Sequence, residues 1–122
     1  MAGTVTVSAT ITIVNGSHRR TIAPGSLSVV QDAIGEHSPI ISVGSGAEED
    51  FAIGDISTLG WVFFQNLDSS NYVTFGPKDT TMKAMVRLEA GEYCFMRLEP
   101  GITLRGQANT AAVKLLMILM EN

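Results

Sequence analysis

Val5, Val7, Ala9, Ile11 and Ile13 alternate with Thr6, Ser8, Thr10 and Thr12 near the start of the chain. A period of two places the apolar groups on one face of a strand and the hydroxyls on the other. Asn15-Gly16 follows, a pair that tolerates positive φ and marks a tight turn, and Arg19 to Ile22 is expected as the returning strand. Pro24-Gly25 breaks the pattern before Leu27 to Val30 resumes it. Ile40 to Val43 reads as a strand beginning just after Pro39. Gly44-Ser45-Gly46 and Ala47-Glu48-Glu49-Asp50 read as an exposed acidic loop, with Phe51 to Ile53 returning to the core.

Trp61-Val62-Phe63-Phe64 is an unbroken aromatic and β-branched run, as expected of a buried central strand. The turn-rich segment Asn66-Leu67-Asp68-Ser69-Ser70-Asn71 then leads to Tyr72-Val73-Thr74-Phe75, which predicts a hairpin. In the C-terminal third, Arg87-Leu88-Glu89-Ala90-Gly91 is echoed ten positions later by Arg97-Leu98-Glu99-Pro100-Gly101. Each copy is expected to end in a tight turn in which the glycine takes positive φ. Strands are predicted at Tyr93 to Leu98, Ile102 to Gly106 and Ala112 to Met120. The last segment is rich in helix formers without clean alternation, yet a buried strand is favoured because its neighbours need a sheet partner.

Short strands at spacings of roughly 8–12 residues, with no strand-to-helix alternation, predict an all-β protein. The expected architecture is a single-domain antiparallel β-sandwich over residues 1–122, jelly-roll-like. Its core is expected to hold Trp61, Phe63, Val73, Phe75, Val86 and Leu88, from two sheets about 10 Å apart. Residues 1–22 form an N-terminal strand or hairpin that is able to act as an arm on a neighbouring subunit.

Composition narrows the function classes. The chain has 122 residues, 45% of them hydrophobic and only 16% charged. Disorder, a coiled coil and an acidic tail each need a charge-rich chain, so none fits. A net charge of −4 argues against a nucleic-acid groove, where cations neutralise phosphates. No basic and apolar leader is visible at the N-terminus, and the apolar segment Ala111 to Met120 is far below the about 20 residues that cross a bilayer. A soluble protein made in a cytoplasm is expected.

Catalytic chemistry is hard to place. His18 and His37 are isolated on different predicted loops, whereas a cupin-type metal enzyme needs clustered histidines. Cys94, the single cysteine, reads as a small buried hydrophobe between Tyr93 and Phe95. Gly44-Ser45-Gly46 lacks the Gly-Lys-Ser/Thr of a phosphate loop. Glu48-Glu49-Asp50, even with Asp55, offers consecutive rather than alternating carboxylates and is expected to be solvated rather than to hold calcium. Glu89 and Glu99 are placed to pair with Arg87 and Arg97. The expectation is a non-enzymatic protein with no cofactor and no metal. A carbohydrate-binding module would have to use Tyr72 and Phe51 as platforms. The methionines, among them Met117 and Met120, fill the core or a subunit contact.

The stretch Trp61 to Gly76, with its aromatic strand, Asn66-Leu67-Asp68, small-residue turn, Asn71-Tyr72-Val73 and glycine, resembles a pattern in small structural proteins of tailed bacteriophages. Arg87-Leu88-Glu89-Ala90-Gly91-Glu92 and the closing segment Ala108 to Leu115 follow the same outline, so the resemblance spans roughly Gly60 to Asn122. It implies a virion component, foremost a head decoration or cement protein that binds the outside of the capsid and stabilises it. A neck, tail or fibre-associated module is the alternative. The implied partners are the major capsid protein or other virion proteins and further copies of the chain, with a trimer suited to threefold lattice positions and no nucleic acid or membrane. Arg19, Arg20, Glu48, Glu49 and Asp50 are the charged residues nominated for partner contact.

Overall fold

The computed structural model describes residues 3–31 and 35–121. The chain divides into two compact units, Met1–Ile34 and Gly35–Asn122.

In the first unit, β1 (Gly3–Asn15) and β2 (His18–Gln31) form an antiparallel hairpin. Its turn has Gly16 at φ 61°, and Ser17 is not among the residues of positive φ. That is a type II′ turn, whose twist matches the flanking strands. The break expected at Pro24-Gly25 does not occur. Pairing steps from Ala9↔Gly25 to Ile11↔Ile22, so β2 spends an extra residue there. This bulge accommodates a proline, which has no N–H to give, and a glycine at φ 87°. One face of the ribbon carries Val5, Val7, Ile11 and Ile13 with Ile22, Leu27 and Val29. The other carries Thr6 opposite Ser28, Ser8 opposite Ser26 and Thr12 opposite Thr21.

The second unit is an all-β antiparallel sandwich. Its strands are β3 (Glu36–His37), β4 (Ile40–Val43), β5 (Glu49–Asp50), β6 (Leu59–Asn66), β7 (Val73–Asp79), β8 (Thr81–Met82), β9 (Val86–Leu88), β10 (Tyr93–Arg97), β11 (Leu104–Ala108) and β12 (Val113–Glu121). One sheet runs β10-β6-β12, with β3 and β4 both along the far edge of β12; the other runs β5-β11-β7, with β8 and β9 both along the far edge of β7. Four pairings are nested: β4 with β12, β5 with β11, β6 with β10 and β7 with β9. The chain is thus paired like one long hairpin, folded over so that β6 also meets β12 and β7 also meets β11.

The core lies between the sheets. Val62 and Phe64 of β6 and Leu115, Met117 and Leu119 of β12 face Val73 and Phe75 of β7 and Leu104 of β11, all nearly or fully buried. Phe64 meets Phe75 at 4.8 Å between ring centroids, and Phe51 lies 5.8 Å from each, all three in tilted contacts. The final segment is a strand, and its alternating burial (Val113, Leu115, Met117 and Leu119 inward) separates it from a helix. The expected core residues Trp61 and Phe63 are not inward. Val62 and Phe64 are fully buried, whereas Trp61 and Phe63 are half-buried on the outer face. An unbroken apolar run carries no parity, and a shift of one residue exchanges the faces. Both echoed turns form as expected, with Glu92 N–H donating to Glu89 O at 3.0 Å around Gly91 (φ 80°) and Ile102 N–H to Glu99 O at 3.4 Å around Gly101 (φ 87°).

Candidate functional site

The nominated charged residues lie in different units. Arg19 and Arg20 sit beside the hairpin turn, opposite Val14 and Ile13, and so point to opposite faces of the ribbon. Glu48, Glu49 and Asp50 lie at the β5 edge of the sandwich. Glu49 is exposed, but Glu48 and Asp50 are engaged within the chain. Arg105, on the neighbouring β11, donates through Nη1 to Glu48 Oε1 at 2.8 Å and through Nε to Asp50 Oδ1 at 2.7 Å. Met82 N–H also donates to Glu48 Oε1 at 3.0 Å, and Lys78 Nζ lies 3.9 Å from Asp50. The cluster ties the acidic segment to β11 and β8. Arg105 was not legible as its organiser, because more than fifty residues of sequence separate it from both acids. Hydrogen bonds from Arg105 hold both carboxyls below their ordinary range, helped at Glu48 by the Met82 N–H. A shallow cleft of about 200 Å³ beside it is lined by Ile41, Val43, Glu49 and Phe51, among others. That is smaller than the 300–1,000 Å³ usual for small-molecule sites.

A second polar construction closes the other end. Asn66 is fully buried. Its Nδ2 donates to Asn71 O at 2.8 Å and Leu88 O at 3.0 Å, and its Oδ1 accepts from Asp68 N–H at 2.8 Å. Asp68 Oδ2 in turn accepts from Asn71 N–H at 2.6 Å and Ser70 N–H at 3.0 Å, which lowers its pKa. Thr110 Oγ1 donates to Asn71 Oδ1 at 2.8 Å. The Asn66–Asn71 segment is therefore a hydrogen-bonded corner joining β6, β9 and the β11–β12 turn. Across the molecule's sequence, Glu121 accepts from Ser57 Oγ at 2.7 Å and Ser57 N–H at 3.0 Å, again with a lowered pKa.

These shifts fix the acid response. Glu48, Asp50, Asp68 and Glu121 stay ionised in the fold below their ordinary values of 4.5 for Glu and 3.8 for Asp. The unfolded chain therefore binds protons first as pH falls, and stability drops with it. The urea midpoint is expected to hold between about pH 7 and pH 5 and to fall once pH passes below about 4.5. A midpoint unchanged at about pH 3 would show that these bonds add nothing.

The outer face of the β10-β6-β12 sheet is unusually apolar. Trp61 stacks on Phe95 at 4.9 Å and Phe63 on Tyr93 at 5.9 Å, flanked by Leu116, Ile118 and the exposed Ile40. The buried Trp61 Nε1 has no hydrogen-bond partner among the described residues. Of the two expected glycan platforms, Phe51 is in the core and is unavailable. Tyr72 is half-buried and covered by the Arg87 guanidinium, 3.6 Å from its ring centroid. Arg87 also pairs with Glu89 at 2.6 Å. Burial pushes the Cys94 thiol up to about 11, so it carries almost no thiolate at neutral pH. His18 and His37 lie on strands rather than loops, in β2 and β3, and the described residues hold no group of three or more His, Cys, Asp or Glu placed for a metal. Compared with known proteins, the chain matches no family model, no curated protein and no solved structure.

Proposed function

We propose that this chain is a non-enzymatic structural protein of a virion, a decoration protein that binds the outside of a phage head and stabilises it through subunit contacts. The observation that carries the reading is the hairpin. It is a unit of its own, 29 described residues in a single layer, with a continuous apolar side that a single layer cannot bury. Such a surface is built for a neighbour. The sandwich supports the same reading. Its nested pairing of first strand with eighth, second with seventh, third with sixth and fourth with fifth, counted from β4 with β8 left out, supports the jelly-roll reading. That architecture is common among capsid domains, though lectins and cupins share it. The Trp61 to Gly76 resemblance adds the phage assignment, and the major capsid protein is the partner it implies.

The test is the number of copies in purified particles, measured by quantitative mass spectrometry against the major shell protein. Copies comparable with the shell subunit are expected. About a dozen would place the chain at a neck, vertex or tail, the alternative virion role, and overturn the decoration reading. Absence from particles would overturn both.

A further inference from the structure

We propose that the apolar face of the β1–β2 hairpin is covered by a second copy of this chain, onto whose acidic body the basic hairpin tip is drawn. The inference deepens the proposed function and rests on it only in treating the chain as part of an assembly.

Three observations carry it. First, the hairpin is two-sided in chemistry. Val5, Val7, Ile11, Ile13, Leu27 and Val29 share one side. On the other, Thr6 and Ser28 face each other with their hydroxyl oxygens 3.5 Å apart, among further serines and threonines. A ribbon meant to be wet on both sides has no use for this segregation. Second, the apolar side is exposed at Ile11, Ile13, Ile22 and Leu27, with Val5, Val7 and Val29 half-buried. Ile11 is 55% exposed and Leu27 51%. A two-stranded hairpin is at best marginal in water unless its apolar face is buried, and this one extends about 40 Å.

Third, charge selects the occupant. The first unit, residues 1–34, holds Arg19 and Arg20 against a single acid, Asp32, a net charge of +1, and both arginines lie at the tip. Residues 35–121 hold eleven acids against six bases, a net charge of −5 with histidines neutral. Two hairpin tips brought together would oppose four arginines with no counter-charge, so pairing tip to tip is disfavoured. The acid-rich body of a second copy offers what the tip lacks. The arrangement is head to tail, and it closes into a ring if the rotation between copies allows. Arg20 sits on the apolar side, opposite Ile13, so it enters the contact at the edge of the buried strip. Such complementarity sets orientation and encounter rate, while the apolar strip supplies most of the affinity.

The experiment is the solution mass of the full chain by light scattering, at low and high salt, together with paired substitutions on each face. The wild type is expected as a defined multiple of 13.0 kDa. Val7→Lys with Leu27→Lys, a directly opposed pair on the apolar face, is expected to weaken association at least tenfold. Thr6→Lys with Ser28→Lys, the opposed pair on the hydroxyl face, adds the same charge and is expected to leave the mass unchanged. Arg19→Glu with Arg20→Glu is expected to weaken association, and added salt should weaken the wild type in the same direction. Unchanged thermal unfolding of the sandwich, followed by Trp61 fluorescence, separates these effects from misfolding. A wild type of 13.0 kDa at all concentrations, or equal effects from the two lysine pairs, would overturn the inference. Particle copy number is a separate readout. An oligomer absent from particles removes the virion reading alone, and a monomer found on particles removes the exchange of contacts between copies alone.

Discussion

Replacing Asn66 by alanine is expected to destabilise the sandwich by about 4 kcal/mol, one of the two largest effects of any single substitution considered. The side chain is fully buried and uses both amide hydrogens and its oxygen, on Asn71 O, Leu88 O and Asp68 N–H. Alanine leaves two carbonyls and an N–H unpaired. A buried polar group left unmade costs about 1–3 kcal/mol, and the partners nearer the surface recover part of that from water. The backbone of the same residue adds to the corner, since Asn66 N–H donates to Glu92 O at 2.9 Å and Gly91 N–H donates to Asn66 O at 3.1 Å. Those bonds depend on the loop staying folded. For a domain of this size each kcal/mol lowers Tm by roughly 4–8 °C, so a drop of about 20 °C is expected in a thermal scan. Asn66→Asp keeps the shape but aims an anionic oxygen at two carbonyls, and is expected to be no better than alanine. A loss below about 1 kcal/mol for Asn66→Ala would mean that water replaces the side chain at the corner, and that the network does not hold it.

The second large effect is expected at Gly76. This residue of β7 is buried in the sheet and not at positive φ, so its role is to leave space. A Cβ built there would collide with the Lys83 carbonyl oxygen and stand 3.0 Å from Met85 N. The opposing backbone is pinned on both sides, by Lys83 N–H to Pro77 O at 2.9 Å and Met85 N–H to Phe75 O at 3.0 Å. It cannot yield without breaking the pairing that joins β8 and β9 to β7. Gly76→Ala is expected to cost about 3 kcal/mol, at the upper end for overpacking, and to lower the denaturant midpoint accordingly. Gly91 is the informative contrast. It has φ 80° and nothing within 4 Å of an added Cβ, so Gly91→Ala should cost only the conformational strain of about 1–2 kcal/mol. If the two variants unfold at the same denaturant concentration, steric contact at Gly76 is not what the fold requires there.

The corner and the glycine are fastenings of the fold. Its most specific polar constructions, at Asn66, at Arg105 and at Glu121, are spent on fastening loops to strands. Among the described residues two apolar surfaces stand apart from these constructions: one side of the hairpin, and the aromatic outer face around Trp61 and Phe95.

What the sequence determined by itself was local. The all-β class, the turn at Asn15-Gly16 and the two echoed glycine turns were legible because each follows from the conformational limits of a few adjacent residues. The hairpin expected across Asn66 to Asn71 does not form: β6 and β7 pair in different sheets, and the segment is a corner between the two layers, since a turn signal does not say whether the strand that follows pairs with the one before it. The segregation of Val5, Val7, Ile11 and Ile13 from the intervening threonines was legible because strict alternation states its own phase. The tertiary structure decided whatever depended on distant partners or on parity. Trp61-Val62-Phe63-Phe64 has no polar position to mark its phase, so only the register with β10 and β12 turned Phe64 inward and Trp61 outward. Pro24-Gly25 is a turn signal taken alone, and only the opposing strand converts it into a bulge within β2. Glu48 and Asp50 read as solvated charges until folding brings Arg105 between them, across more than fifty residues of chain. Chain-distant pairing of that kind is set by sheet topology, which no window of neighbouring residues contains.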